Sequence, residues 1–204
     1  MNKITFKAPI ISVLFMIGVI FTGCLSIDDS YIEDYDSVYT DYYDQFDFST
    51  SYTYSLPDEV VKKDENTNEN DPKEPIDKDY SDAILNAIRK NLTNKGWTEV
   101  DQNANPQVPM NVTAFDKTYL YIYYDWWYWY WGWYYPFPPS YITGYKTGSV
   151  AIEMGDSSVT NDDGHHPVVW LGTFNGILSG SKSSIIQRIE KNVDQAFKHD
   201  PFNN

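Results

Sequence analysis

The chain has a single cysteine in 204 residues, Cys24. One thiol excludes an internal disulfide and any metal site built on cysteines. Basic residues are also scarce. Fifteen Lys and Arg face 29 Asp and Glu, for a formal net charge of −14. A surface of that sign repels nucleic-acid phosphates, which proteins hold through Lys and Arg, so no nucleic acid partner is expected. It equally disfavours docking on anionic lipid through a basic patch. Long hydrophobic runs are missing too. The most apolar stretch, Ile10 to Phe21, falls short of the ~20 residues that a membrane-crossing helix needs.

What that short run has is the right neighbours. Lys3 and Lys7 precede it, and Thr22-Gly23-Cys24 follows it. A basic start, a brief apolar stretch and small residues form the layout of a secretory signal. A cysteine just after the small residues is the lipidation site of bacterial lipoprotein signals. Residues 1–23 are therefore expected to be removed, leaving Cys24 to carry acyl chains. Their loss takes two lysines and no acid, so the net charge becomes −16. With no basic patch, anchoring must come from acyl chains, and two or more make a stable anchor. Residues 25–34 read as an acidic tether. Position 25 is Leu rather than the Asp that retains lipoprotein chains in an inner membrane. The expected location is the envelope of a Gram-negative bacterium, at its outer membrane.

From residue 35 onward the pattern is that of one domain, 35–204. Tyr35–Phe48 alternates as a half-buried strand does, and Ser51–Leu56 reads as a second strand stopped by Pro57. Residues 62–78 hold two prolines and only one strongly apolar side chain, Ile76, which predicts a mobile loop. Asp79–Lys95 predicts a helix. Asp79 or Ser81 caps it, Ile84, Ile88 and Leu92 form its stripe, and Gly96 with Trp97 closes it. Extended segments follow at 97–100, 108–124, 145–154 and 168–178. Ser183–Lys198 predicts a second helix with the stripe Ile185, Ile189, Val193 and Phe197, ended by Pro201. The order β-β-α-β-β-β-β-α makes a two-layer α+β fold, a mainly antiparallel sheet with two amphipathic helices.

Aromatic residues are in excess. From Tyr119 to Phe137, 14 of 19 residues are Trp, Tyr or Phe, and five of the seven tryptophans are here: Trp126, Trp127, Trp129, Trp131 and Trp133. An extended chain sends neighbours to opposite faces, so both faces of such a segment are aromatic. A sheet covered by helices on one side buries one face, which leaves rings near the surface over about 125–140. Three readings follow: a self-packed hairpin, a platform for sugar rings or a protein partner, or partition into a membrane interface.

Several stretches together resemble the bacterial lipoprotein family known as domain of unknown function 4136. Near the start these are Asp36-Ser37-Val38-Tyr39-Thr40-Asp41-Tyr42, Phe46-Asp47-Phe48-Ser49 and Tyr52-Thr53-Tyr54-Ser55-Leu56-Pro57-Asp58. They continue with Gly96-Trp97, the Trp/Tyr/Gly run and Gly148-Ser149-Val150-Ala151-Ile152. Val168-Val169-Trp170-Leu171-Gly172, Gly176 and the terminal helix complete the match. Where the family places acids after Ile152 and at the strand end, this chain has Glu153 and Asp156. The resemblance implies a lipid anchor, an envelope location and an α+β fold. It implies no activity, substrate or catalytic residue.

Other chemistry is thinly represented. Gly176 to Ser183 sits where a phosphate loop would, but Ser181 replaces the glycine before Lys182. Asn161-Asp162-Asp163-Gly164 resembles part of a calcium loop, yet positions 159 and 170 are Val and Trp where acids are needed. His165 and His166 are adjacent, so on a strand they point apart, and His199 is the only other imidazole. No Ser-His-Asp, Cys-His or HExxH arrangement is visible. The expectation is a non-enzymatic lipoprotein without cofactor or metal, held to a membrane at Cys24. Its aromatic run would meet an envelope protein or glycan. A glycan-processing enzyme with aromatic subsites and an acidic pair is the alternative, and a purely structural lipoprotein is another.

Overall fold

The computed structural model describes residues 38–63, 74–115, 133, 134, 136, 148–162 and 164–202. In chain order the elements are β1 (Val38–Tyr42), β2 (Thr53–Ser55), β3 (Val61–Lys63), β4 (Glu74–Pro75) and helix α1 (Lys78–Asn94). There follow β5 (Thr98–Glu99), β6 (Val108–Phe115), β7 (Trp133–Tyr134), β8 (Ser149–Gly155), β9 (His166–Phe174) and helix α2 (Lys182–Ala196). The α+β class and both helices stand as expected. The long ladders are antiparallel: β6 on β8, β8 on β9 and β1 on β9. The short pieces make the sheet mixed, because β2 and β3 pair parallel with successive parts of β6, β5 with β2, and β7 with β9.

Both helices cover one face of this sheet. Ile84, Ile88 and Leu92 of α1 and Ile185, Ile189, Val193 and Phe197 beyond α2 are buried with Val112, Val150, Ile152 and Met154. Each such aliphatic side chain contributes about 1.5–3 kcal/mol by leaving water. Asp194 ties the helices together, accepting from Lys90 Nζ and Asn91 Nδ2, each at 2.7 Å. The start of α1 lies two residues before the expected cap: Asp77 accepts from the Asp79 backbone N–H at 2.9 Å. Ser81 is instead buried and accepts from Val60 N at 2.9 Å. At the other end Gly96 takes φ +80°, its N–H reaches Thr93 O at 2.9 Å, and Trp97 N–H reaches Leu92 O at 3.0 Å. That pair of bonds is the Schellman closure that Gly96-Trp97 predicts.

Two expectations need correction. The segment 62–78 has ordered ends: Lys62 and Lys63 lie in β3, Glu74 and Pro75 form β4, and Lys78 starts α1. Lys62 pairs with Glu74 at 3.1 Å, Ile76 N–H reaches Val60 O at 3.0 Å, and Ile76 packs on the core. The lone apolar residue is the one that docks. Residues 64–73 lie outside the described residues. The second correction concerns the sheet. Its far face is not open along the central strands, since Asn111, Thr113, Ser149, Ala151 and Glu153 are each at most 4% exposed. Ser149 donates its hydroxyl to Asn175 Oδ1 at 2.9 Å, while the Thr113 hydroxyl is buried with no hydrogen-bond partner among the described residues. Asn111 and Glu153 sit opposite each other and join at 3.0 Å, Nδ2 to Oε2.

The Trp170-Leu171-Gly172 motif acquires a physical reason. Residues two apart on a strand share a face, and the Trp170 indole lies across Gly172. A Cβ at 172 would come within 2.9 Å of Cζ3 and overlap the outer ring. Laid flat in this way, Trp170 stacks on Phe197 at 5.3 Å between centroids and meets Phe202 edge-on at 5.7 Å. Phe202 in turn touches Phe48 and Trp97. The chain end is thus fastened to the β1–β2 connection.

Candidate functional site

Beyond Tyr42 the chain leaves β9 and turns through residues 43–52. Asp47 shapes this turn. Its Oδ1 accepts from Ser49 N at 3.0 Å and Ser49 Oγ at 2.6 Å, and its Oδ2 accepts from Thr50 Oγ1 at 2.8 Å. Asx turns of this kind are the reason Asp and Ser concentrate in such connections. The same bonds hold the Asp47 carboxyl below the ordinary carboxylate range, Ser49 contributing most. Tyr52 donates its hydroxyl to Asp47 O at 3.0 Å. Its ring lies 4.9 Å from Phe46, tilted by 30°, and braces edge-on against Trp97 at 5.1 Å. The result is an aromatic ledge backed by the core.

Opposite the ledge stands the β8–β9 connection. Asp156 N–H bonds to Pro167 O at 3.0 Å, and its Oδ1 accepts from Ser158 N at 2.8 Å. Ser157 Oγ fixes this turn to Pro106 O at 2.7 Å. Neighbouring Gln107 spends its Oε1 on Thr53 N at 3.0 Å. Between the two walls lies a half-open groove of about 470 Å³, lined by Tyr43, Phe46, Tyr52 and Tyr134 together with Asp47, Asp156, Gln45, Gln107 and Ser158. All four rings are half-buried, so each leaves part of its surface in the groove wall. Burial pushes the Tyr52 phenol up, and Asp47 and Asp156 both push in the same direction. A second cavity of about 620 Å³ lies on the other side of the 44–49 turn. Its one cation among the described residues, Lys95, already donates to Phe202 O, so that space offers less unspent chemistry.

The family model for a domain of unknown function, DUF4136, matches residues 38–202. The chain belongs to the DUF4136 family. Its fold is also that of a crystal structure of a DUF4136 family protein from Bacteroides thetaiotaomicron, with a TM-score of 0.65 and 24% identity, covering 82% of this chain and 96% of that one. A PDZ domain protein from Parabacteroides distasonis gives a TM-score of 0.41 at 16% identity, over 83% of this chain and 37% of the other. A PelC dodecamer variant from Paraburkholderia phytofirmans gives 0.36 at 12% identity, over 79% and 96%. No curated protein matches.

Within this DUF4136 domain the expected site residues fare differently. Cys24, Trp126, Trp127, Trp129 and Trp131 lie outside the described residues. Trp133 is described, and it is buried at 6% exposure, with its indole Cε2 3.2 Å from where a Cβ on Gly155 would stand. It is packing, and the neighbouring Tyr134 is what reaches the groove. The stretch from Gly176 shows the reverse polarity of a phosphate loop. Its carbonyls at 176, 177 and 179 accept from buried Arg188, Ile177 O at 3.0 Å, whereas a phosphate loop converges N–H groups on an anion. Asn161 uses its side chain on His165 N at 2.8 Å and closes a tight turn with Gly164. His166 Nδ1 lies 2.9 Å from Val159 O, and His199 Nδ1 lies 3.4 Å from Thr40 Oγ1. Among the described residues no group of three or more His, Asp or Glu is placed to hold a metal. Sequence reasoning missed the groove itself. Phe46-Asp47 and Asp156 both fall in stretches that carry the family resemblance, but nothing in one chain's sequence shows that two segments so far apart face each other.

Proposed function

We propose that this DUF4136 protein is a non-catalytic binding module, anchored in the cell envelope by a lipid on Cys24, whose ligand sits in the Tyr43/Phe46/Tyr52/Tyr134 groove. The observation that carries this reading is the groove: four aromatic side chains, a few polar side chains and a volume of about 470 Å³ in one place. Pockets for small ligands have that build, a mostly apolar wall with a small number of placed polar groups. The contact surface in this proposal is the Phe46/Tyr52 ledge rather than the tryptophan run, most of which lies outside the described residues. The envelope location follows from the signal-like start and the cysteine after Gly23.

A glycan-processing enzyme is the second reading, and the pair Asp47 and Asp156 in one groove is what favours it. Such chemistry needs one carboxyl protonated near neutral pH as the general acid. Asp47 is held low by its own turn and does not meet that need. Ligand-observed NMR on the full chain tests both readings, with sugars, amino sugars and small organic cations as probes. Binding that is lost in Tyr52→Leu, with the fold retained by circular dichroism, supports the module. Turnover of a glycan that disappears in Asp156→Asn would replace it with the enzyme. No binding by any probe class would remove the groove as the site.

A further inference from the structure

The groove's walls differ in what they offer to charge. Among the described residues its lining includes Asp47 and Asp156 and no Lys, Arg or His. An anionic ligand would therefore enter against two carboxylates with no counter-charge. Asp47 spends both oxygens inside its own turn, so it contributes field rather than a free acceptor. Asp156 Oδ1 is held by Ser158 N, which leaves Oδ2 directed to no partner among the described residues. Four aromatic rings complete the wall, and the face of each carries the negative end of a quadrupole. Rings and carboxylates thus have the same preference. A neutral sugar would use the rings and gain little from the carboxylates, whereas an ammonium group uses both.

We infer that the ligand of this groove is an organic cation, with a primary or quaternary ammonium group lodged against Phe46, Tyr52 and Tyr134 and balanced by Asp47 and Asp156. The inference rests on the groove being the ligand site. The phenol of Tyr52 reports the field, since both carboxylates act on it in the direction that resists a further negative charge. A cation in the same place would be stabilised by that field.

Choline and its uncharged isostere, in which a tert-butyl group replaces the trimethylammonium, separate charge from shape. Calorimetric titration of the full chain should give binding of choline at low salt and binding of the isostere weaker by about tenfold or more. High salt should weaken choline alone. Asp156→Asn keeps an acceptor for Ser158 N and should narrow the preference, and Tyr52→Leu should weaken both ligands. Equal binding of the two, or binding of a neutral oligosaccharide with none of choline, would overturn the cation and leave the groove as the ligand site. Absence of binding by choline, isostere and oligosaccharide alike would overturn both.

Discussion

Lys63 closes β3 opposite Phe115 and is 9% exposed. Burial disfavours its charged form and brings its pKa from 10.5 down to about 7. Below pH 7 both the folded and unfolded chains carry the proton, so the cost of burying the cation is constant. Between about 7 and 10.5 the unfolded chain holds a proton that the folded chain has released, and stability rises with pH. Tyr54 acts in the opposite sense. Fully buried in β2, its phenol is pushed from 10.0 to about 12, first by desolvation and then by Glu99. Above pH 10 the unfolded chain loses that proton first, so stability falls. Urea midpoints taken from about pH 6 to 12 should rise and then fall, with the rise worth on the order of a few kcal/mol. Lys63→Met should abolish the rise and keep the fall. A rise of unchanged size in that variant would mean that another group supplies it.

At the scale of elements, one buried side chain braces the joint between β9 and α2. Arg188 is 2% exposed, and its Nη2 donates to the carbonyls of Gly176, Ile177 and Ser179. Those three carbonyls belong to the turn that reverses the chain from the sheet onto the helix. Arg188→Met preserves the aliphatic stem but strands the carbonyls, and breaking a buried charged contact from one side costs about 2–4 kcal/mol. Equilibrium urea unfolding should show a loss of that size, while a loss under about 1 kcal/mol would show that the turn holds without the guanidinium. This residue also marks the limit of what the sequence displays. The stripes of both helices, the Gly96-Trp97 closure and the alternation along β6 and β8 are local periodicities, and they are legible because burial of one face imposes them. Arg188 and Asn192 read as polar positions on α2, yet both are buried, and the partners of Arg188 are carbonyls of the turn before the helix rather than of the helix itself. The short parallel strand β3 is obscure for the same reason, being held by its register with β6 rather than by a pattern of its own, whereas β2 and β5 fall within the strand expected at 51–56 and the extended segment expected at 97–100. The groove depends on the meeting of the 43–52 turn with the β8–β9 turn, a purely tertiary event.

For the whole molecule the decisive quantity is charge. A net charge of −14, or −16 without residues 1–23, disfavours electrostatic docking on an anionic bilayer. Each basic residue near such a surface is worth about 1 kcal/mol, and this chain has an excess of acids. Among the described residues no helix is long and apolar enough to cross a membrane. On the proposed reading, acyl chains on Cys24 supply the attraction to the membrane, at ~0.8 kcal/mol per buried CH₂. Cys24→Ser should therefore move the protein wholly out of the lipid-modified membrane fraction, as a soluble chain or an unprocessed precursor. Salt gives the control. A peripheral protein held by charge is released at high ionic strength, whereas the acylated chain should stay bound in high salt and be freed only by detergent. Fractionation of both forms across salt and detergent reads this directly. Retention of Cys24→Ser at the membrane as a processed chain would mean that another surface does the anchoring. The aromatic run from Tyr119 to Phe137, whose residue types are those favoured at bilayer interfaces, would then be the next segment to vary.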